Sequence, residues 1–212
     1  MPIRDIHHCQ REFDQSISST LNFLAQTRSF RVLQPSGAYQ NISARTNELL
    51  AGLALLRVCL AWEEFLESVF VRYMCGATSS SGFAPTLLLA RERSISSAMA
   101  KLLGPGGRYL NWSPSNTRKR AGEHFDKGEP FSTAISAGGA VLDEVFIVRN
   151  RFAHRSDFAS QEFRMILNSR IGYIPRGMTA GRFLLSNSPV AGQTFIEFYA
   201  NTLLGVSSQI VR

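Results

Sequence analysis

Residues 141–157 of the chain read Val141-Leu142-Asp143-Glu144-Val145-Phe146-Ile147-Val148-Arg149-Asn150-Arg151-Phe152-Ala153-His154-Arg155-Ser156-Asp157. At 100° per residue, the apolar side chains of this stretch fall on one broad face of an α-helix. We call this face the apolar arc, and it consists of Val141, Leu142, Val145, Phe146, Val148, Phe152 and Ala153. The pattern predicts an amphipathic helix over about residues 132–154.

Three polar residues lie within the arc or at its edge. Arg149 falls near the middle, although a guanidinium is almost never fully buried without a partner. Asn150 and His154 are four residues apart and therefore share a face of the helix. Arg149 and His154 are roughly 140° apart on an ideal helix. If both act on one chemical group, either the helix is distorted or a second subunit supplies one of them.

Apolar periodicity predicts helices along most of the remaining chain. The first is expected over about residues 4–29, and the second and longest over about 43–75, with Asn41 or Ser43 as N-cap and Gly76 as its stop. One stripe of the second helix contains Leu49, Leu53, Leu56 and Leu60, and another apolar stripe lies on a different side. A helix that is apolar on two sides is predicted to be packed on two sides.

Shorter helices are predicted over residues 86–103, after Asp157, and after Thr194, where Thr194 and Glu197 fit a capping box. Residues 35–37 are predicted as a linker, and residues 108–131 and 174–193 as loops, with a short helix considered at His124 and a short strand at 183–185. The sum is an all-α helical bundle with two sizeable loops. We expect one domain over residues 1–212, with the helix at 4–29 packing on a core of about 45–210.

The charge balance bears on partners. The chain of 212 residues has a formal charge of +7, and arginine supplies 20 of the 23 basic residues. Arginine suits bidentate phosphate contacts, which favours a nucleic-acid partner, while an arginine-rich genome would give the same composition. Trp112 near Arg118, Lys119 and Arg120 could hold single-stranded nucleic acid, or could equally be a packed loop with a solvated charge run.

Features of targeting and redox chemistry are few. The three cysteines are odd in number and at no metal-ligand spacing, which fits a reducing compartment. The first residues lack an apolar signal region, and the longest uncharged apolar run, residues 49–56, is too short to cross a bilayer. A soluble cytoplasmic protein is therefore expected.

An Arg, an Asn and a His contain the groups needed to cut RNA without a metal ion. Arg stabilises charge on phosphorus, His moves protons near neutral pH, and Asn orients the substrate or the imidazole. A base would remove the 2′-hydroxyl proton, the oxygen would attack the adjacent phosphorus, and an acid would protonate the leaving 5′-oxygen. The motif contains one His, so two proton-transfer groups would most simply come from two copies across a two-fold axis.

The motif Arg149-Asn150-Arg151-Phe152-Ala153-His154 resembles the Arg-polar-x-x-x-His motif of the HEPN superfamily of helical ribonucleases. Four flanking stretches are similar to the RiboL-PSP-HEPN branch of that superfamily, and the likeness covers about residues 45–210. These stretches are Ala61-Trp62-Glu63-Glu64-Phe65-Leu66, Tyr109-Leu110-Asn111-Trp112-Ser113, Gly128-Glu129-Pro130-Phe131 and Pro175-Arg176-Gly177-Met178.

The resemblance implies a metal-independent endoribonuclease that needs no cofactor and acts on RNA such as tRNA or mRNA. It implies a homodimer with the two motifs lining one cleft, in antiviral defence, abortive infection or a toxin–antitoxin system, with an antitoxin or a defence-system ATPase as a further partner. Arg149 would bind the scissile phosphate, Asn150 would orient and His154 would be the general acid or base. Arg151 and Arg155 are further candidates for phosphate contacts, with a solvated or ion-paired role as the alternative.

Two alternatives to an enzyme are open. The chain could be a non-catalytic HEPN module that binds RNA or docks a partner, with Arg149 and His154 holding the dimer interface. It could also be a purely structural helical domain, which leaves the Arg within the apolar arc to chance. In the enzyme hypothesis the arc itself is expected to be free to form the dimer seam.

Overall fold

The computed structural model describes residues 5–27, 29–154 and 156–212, and the protein is all-α, as predicted. The regular structure of these ranges consists of eight α-helices, one 3₁₀ turn at Asp126–Gly128 and one short β-hairpin. The helices are α1 Ile6–Thr27, α2 Ala44–Met74, α3 Ile95–Leu103, α4 Pro114–His124, α5 Phe131–Ala153, α6 Asp157–Ile171, α7 Ala180–Leu185 and α8 Phe195–Val211. The strands of the hairpin are β1 Arg31–Leu33 and β2 Tyr39–Asn41.

The chain divides into two compact units. The first contains the described residues up to 15, residues 61–143 and residues 202–212, and the second contains residues 16–60 and 144–201. The boundaries fall inside α1, α2, α5 and α8. The expectation of one domain over residues 1–212 stays a prediction.

Aromatic side chains form the core of the first unit. The ring of Phe70 lies 5.5 Å from that of Trp112, 4.8 Å from that of Phe125 and 4.9 Å from that of Phe131, between ring centroids. The hydroxyl of Tyr73 donates a hydrogen bond of 2.7 Å to the carbonyl oxygen of Ile210. Burial raises the pKa of Tyr73, so the phenol stays a neutral donor. These contacts tie α2 to the loop and helix segments around it and to α8.

The core of the second unit is also aromatic. Phe183 of α7 stacks on Phe195 of α8 with ring centroids 4.1 Å apart, and Phe163 of α6 meets Phe183 edge-on at 5.7 Å. Offset-stacked and edge-to-face arrangements of this kind are favoured by the ring quadrupoles. The short helix α7 is thereby held between α6 and α8.

Two predicted helix starts are confirmed. The hydroxyl of Ser43 accepts a hydrogen bond from the backbone N–H of Thr46 at 3.1 Å, so Ser43 caps α2. The Glu197 carboxylate accepts hydrogen bonds of 2.7 Å from both the backbone N–H and the hydroxyl of Thr194, which is the expected side-chain return of a capping box at α8.

The helix predicted over residues 86–103 is wrong in its first half. The helix α3 begins only at Ile95, where the Ser94 side chain accepts from the backbone N–H of Ser97. In the preceding segment the N–H of Leu88 donates to the carbonyl of His124 and that of Glu92 to the carbonyl of Met74, each at 3.0 Å. Because these backbone groups bond to other parts of the first unit, the segment does not wind into a helix.

The two regions predicted as loops each contain a helix. Helix α4 starts with Pro114 in its first turn and buries Pro114, Thr117 and Ala121, a stripe without large apolar residues. Helix α7 begins after Thr179, whose hydroxyl accepts from the N–H of Arg182 at 3.0 Å. The short helix considered at His124 is present, since His124 is the last residue of α4. The strand considered at 183–185 is wrong, and α7 was missed because a cap rather than a long apolar pattern defines it.

The linker predicted at residues 35–37 is the turn of the β-hairpin. Val32 pairs with Gln40 in antiparallel register, and the N–H of Gly37 donates to the carbonyl of Gln34 at 2.9 Å. Gly37 has a φ of 81°, a left-handed conformation that glycine adopts at little cost. All six strand residues are exposed. Because neither strand has a buried face, the sequence does not show the alternation of apolar and polar residues that predicts a half-buried strand.

One stripe of α2 is exposed, contrary to the prediction that the helix is packed on two sides. The exposed fractions of Leu49, Leu53 and Leu60 are 53%, 48% and 48%, and Leu56 is half-buried. We call these four residues, of which the described part of the chain leaves three exposed, the leucine stripe. The other stripe, from Val58 to Tyr73, is buried.

The segment Asp126–Ala153 is long enough to cross a membrane, its most apolar 18-residue window has a mean hydropathy of 1.5, and 39% of that window is buried inside the protein. Core helices of globular proteins share these properties. The predicted cytoplasmic location stays a prediction.

Candidate functional site

The motif lies at the end of α5, and this part of the helix is fastened by a carboxylate. Glu144 accepts hydrogen bonds from Nε of Arg170 at 3.1 and 3.0 Å through its two oxygens, and it forms an ion pair of 2.9 Å with Nη2 of the same guanidinium. The hydroxyl of Tyr199 donates to the same carboxylate at 3.2 Å. Within the second unit, Glu144 thus joins α5 to α6 through Arg170 and to α8 through Tyr199.

Most of the apolar arc is covered by the chain itself. Val145 and Val148 are fully buried and Phe146 is 9% exposed, whereas Phe152 is half-buried and Ala153 is exposed. The expectation that the arc is free to form a dimer seam is therefore wrong. Its side chains belong to the core that holds the motif in place.

Arg149 and Asn150 lie together at the surface edge of this core. Both are half-buried, and Nη1 of Arg149 donates a hydrogen bond of 3.1 Å to the Asn150 side-chain oxygen. Arg149 also has an interaction beyond this bond. The partner that a half-buried guanidinium requires is thus supplied in part by the neighbouring amide.

His154 directly follows the last residue of α5 and is exposed. Its backbone N–H donates to the carbonyl of Asn150 at 2.8 Å, so one turn of helix separates the two residues. The guanidinium of Arg151, also half-buried, donates to the His154 carbonyl at 3.3 Å. The imidazole is therefore on a well-fixed backbone. The remaining candidate of the motif, Arg155, lies outside the described residues.

The helix is regular through the motif. Among the described residues of α5, the non-helical backbone is at Gly139, with φ 48° and ψ −141°, ten residues before Arg149. Arg149 and His154 therefore keep the roughly 140° separation of an ideal helix. Of the two ways in which they could act on one group, a distortion of the helix within the motif does not occur.

The α2 backbone lies directly against the motif at Gly52. A Cβ atom added at Gly52 would overlap three ring atoms of Phe152. Gly52 is buried, and on α2 it lies about 60–80° from the centre of the leucine stripe. The motif helix is thus packed at the border of an exposed apolar surface.

The basic and aromatic residues of the first unit are not arranged for base stacking. Trp112 is only 2% exposed, and its indole N–H donates to the Glu67 carboxylate at 3.2 Å. The Arg120 guanidinium covers the same indole at 4.5 Å from the ring centroid. The Trp112 ring is therefore not exposed for base stacking, and its predicted role in RNA binding stays a prediction. Arg118 and Lys119 are exposed and Arg120 is half-buried, so a packed loop residue beside a solvated charge run describes this segment better.

Four residues that position the motif were missed by sequence reasoning, namely Gly52, Glu144, Arg170 and Tyr199. Glu144 had a signal, since it interrupts the apolar run of residues 141–148. A charged residue beside a core face calls for a partner. The partner itself is 26 residues away in sequence and could not be named.

No protein-family model matches this chain, and neither a curated protein nor a solved structure matches it significantly.

Replacing Gly52 tests the packing between α2 and the motif. We expect Gly52→Ala to lower the free energy of unfolding by about 1 kcal/mol or more, because the new methyl group displaces the Phe152 ring. The measurement is urea-induced unfolding followed by circular dichroism.

The matched control is Gly205→Ala in α8, where an added Cβ meets no atom within 4 Å. That change should leave stability unchanged or raise it by up to about 1 kcal/mol, since alanine favours the helix. Equal effects of the two substitutions would mean that Phe152 does not occupy the space beside Gly52.

Proposed function

We propose that this protein is a metal-independent endoribonuclease that acts as a homodimer. The observation that carries the proposal is the arrangement at the end of α5. The Arg149 guanidinium is bonded to Asn150 at 3.1 Å, and one regular helical turn separates Asn150 from the exposed His154. The resemblance of residues 149–154 to the HEPN ribonuclease motif supports the same reaction, and extends the proposal to a role in antiviral defence or as a toxin.

The reaction follows from the three side chains. An imidazole takes the proton of a ribose 2′-hydroxyl, and the 2′-oxygen forms a bond to the adjacent phosphorus. The bond from phosphorus to the 5′-oxygen breaks, and a protonated imidazole supplies the proton to that oxygen. Arg149 stabilises the charge that develops on the phosphoryl oxygens, and Asn150 holds the guanidinium in place. The products are a 2′,3′-cyclic phosphate and a 5′-hydroxyl, and DNA is not cut because it lacks the nucleophile.

A second copy of the chain supplies what one motif lacks. Each motif contains one imidazole, and the reaction uses one proton acceptor and one proton donor. On the regular helix, Arg149 and His154 of one chain point in directions roughly 140° apart. A two-fold axis beside the motif would bring His154 of each subunit and the Arg149–Asn150 pair of its partner around one phosphate.

The leucine stripe is the surface we propose for this dimer. Leu49, Leu53, Leu56 and Leu60 form a continuous apolar strip on α2, and contiguous strips of this kind on soluble proteins mark interaction sites. The leucine stripe borders Gly52, and the motif residue Phe152 packs against Gly52. Two copies paired through the strip would therefore have their motifs at the margin of the interface.

The first test is cleavage. Purified wild-type protein should cut single-stranded RNA in the presence of EDTA, and His154→Ala should reduce the rate by at least about 100-fold because proton transfer is lost. Arg149→Ala should reduce it similarly because charge on the phosphate is no longer neutralised. The measurement is gel analysis of labelled RNA with time.

His7→Ala is the control for this series, because His7 is exposed and lies on α1 outside the motif. It should cut at the wild-type rate. A cleavage activity that is equal in wild type and His154→Ala comes from a contaminant and contradicts the proposal. Loss of the dimer by His154→Ala, with no cleavage by wild type, would instead favour the non-catalytic module.

The second test concerns the dimer. Leu53→Arg should shift the solution mass from twice to once the chain mass of 23.5 kDa, since an isologous interface would place the two new charges close together. RNA cleavage should fall with the dimer fraction. The measurement is light scattering coupled to size-exclusion chromatography.

Leu89→Arg is the matched control, because Leu89 is as exposed as Leu53, at 48%, and lies outside α2. It should leave the mass and the cleavage rate unchanged. A wild-type chain that is monomeric while it cuts RNA would overturn the composite site.

A further inference from the structure

A concave feature lies in the second unit, which also contains the motif. It is a cavity of about 500 Å³, a volume within the range of small-molecule sites. The end of α1 supplies Leu24 to its wall. Leu185, the last residue of α7, and Asn187, in the segment between α7 and α8, also line it. Asn187 and Gly192 at its rim are exposed, so the cavity opens to solvent.

The lining of this cavity suits a neutral, planar, polar ligand. Leu24 and Leu185 supply apolar surface, and Asn47, Asn187 and Gln193 supply side-chain amides. Within the described residues, these three amides form no hydrogen bond to another group of the chain. Each amide offers both donors and an acceptor, and paired donor and acceptor groups match the edges of nucleobases.

A phosphate and a cation fit this cavity less well. None of the described residues that line the cavity is basic, so it has no side chain to neutralise a phosphate. Glu197 is the acidic residue of the lining, and its carboxylate accepts two hydrogen bonds from Thr194 to cap α8. The ligand groups available are therefore the amides.

The cavity and the motif both contact α2. Asn47 is five residues before Gly52, which corresponds to about 7.5 Å along the helix axis and roughly 140° around it. Gly52 in turn packs on Phe152, two residues before His154. The cavity and the motif therefore contact the same stretch of α2 within one unit of the protein.

We propose that this cavity binds one nucleobase of the RNA and gives the enzyme a base preference near the cleavage site. The inference rests on the proposed function for the identity of the ligand, and it assigns the recognition to Asn47, Asn187 and Gln193. Bidentate contacts between an amide and a base discriminate by about 1–3 kcal/mol, which corresponds to at least about fivefold between bases.

The first arm of the test does not involve cleavage. Adenosine, guanosine, cytidine and uridine are titrated into ¹⁵N-labelled wild-type protein, and the side-chain NH₂ resonances of the three amides are followed by NMR. One nucleoside should shift these resonances with a dissociation constant at least about fivefold lower than the others. Asn187→Leu should abolish the preference. Asn187 is exposed, so its replacement should not disturb folding, and it serves as the test variant if Asn47→Leu fails to fold.

The second arm separates a base within RNA from a free nucleoside. Fluorescein-labelled oligoribonucleotides with and without the preferred base are bound to His154→Ala, which is not expected to cut them, and the anisotropy is measured. RNA with the base should bind about tenfold more tightly, and adding Gln193→Leu should remove that difference. The control is Asn168→Leu, an exposed amide on α6 outside the lining, which should preserve it.

The proposal is overturned if no nucleoside shifts the three amide resonances. It is also overturned if a nucleoside shifts them and RNA binding shows no base preference that depends on Gln193, because the cavity then binds a free nucleoside. A failure of His154-dependent cleavage would affect the proposed reaction, whereas these two binding results would affect the cavity. The two failures are thus distinguishable.

Discussion

The half-buried carboxylate of Glu144 fixes the helix that carries the motif. Its oxygens take hydrogen bonds from the Arg170 guanidinium at 3.0 and 3.1 Å and from the Tyr199 hydroxyl at 3.2 Å. Burial, and then the neighbouring Glu144 charge, raise the pKa of Tyr199, so the phenol remains a donor at neutral pH. Removing one partner of a buried ion pair lowers the free energy of unfolding by about 3–5 kcal/mol. Glu144 and Arg170 are both partly exposed, so the loss for this pair is smaller. Three helices of the second unit depend on this group.

The rigidity of α5 also constrains how the motif can work. A helix that is regular from Arg149 to Ala153 cannot turn Arg149 and His154 toward one point by bending. The proposed reaction therefore requires a partner chain, and α2 offers an uncovered leucine stripe beside the motif. The same helix α2 carries Gly52, whose missing side chain leaves room for Phe152, and Asn47, which lines the proposed base cavity. One helix thus carries the proposed dimer surface, the contact with Phe152 of the motif and one residue of the cavity lining.

The sequence predicted the helices and helix caps that depend on residues a few positions apart in the chain. The run at 141–153 is helical, Ser43 caps α2, and Thr194 and Glu197 form a capping box. Only the end of helix α4, at His124, was considered helical, because its buried face contains Pro114, Thr117 and Ala121, which give little apolar signal. Burial was harder to predict, since the leucine stripe and the buried stripe of α2 look alike in sequence. Trp112 likewise could not be assigned to the core, because its partner Glu67 is distant in sequence.

The most direct test of the proposed reaction uses a single-stranded oligoribonucleotide that the wild-type protein cuts at a mapped bond. One 2′-deoxynucleotide is placed on the 5′ side of that bond, and the products formed in EDTA are analysed by mass spectrometry. The account predicts that the all-ribose strand yields a 2′,3′-cyclic phosphate and that the deoxy substitution stops cleavage at that bond, because the nucleophile has been removed. Continued cleavage of the substituted bond at the same rate would contradict attack by the 2′-hydroxyl, and with it the roles assigned to Arg149 and His154.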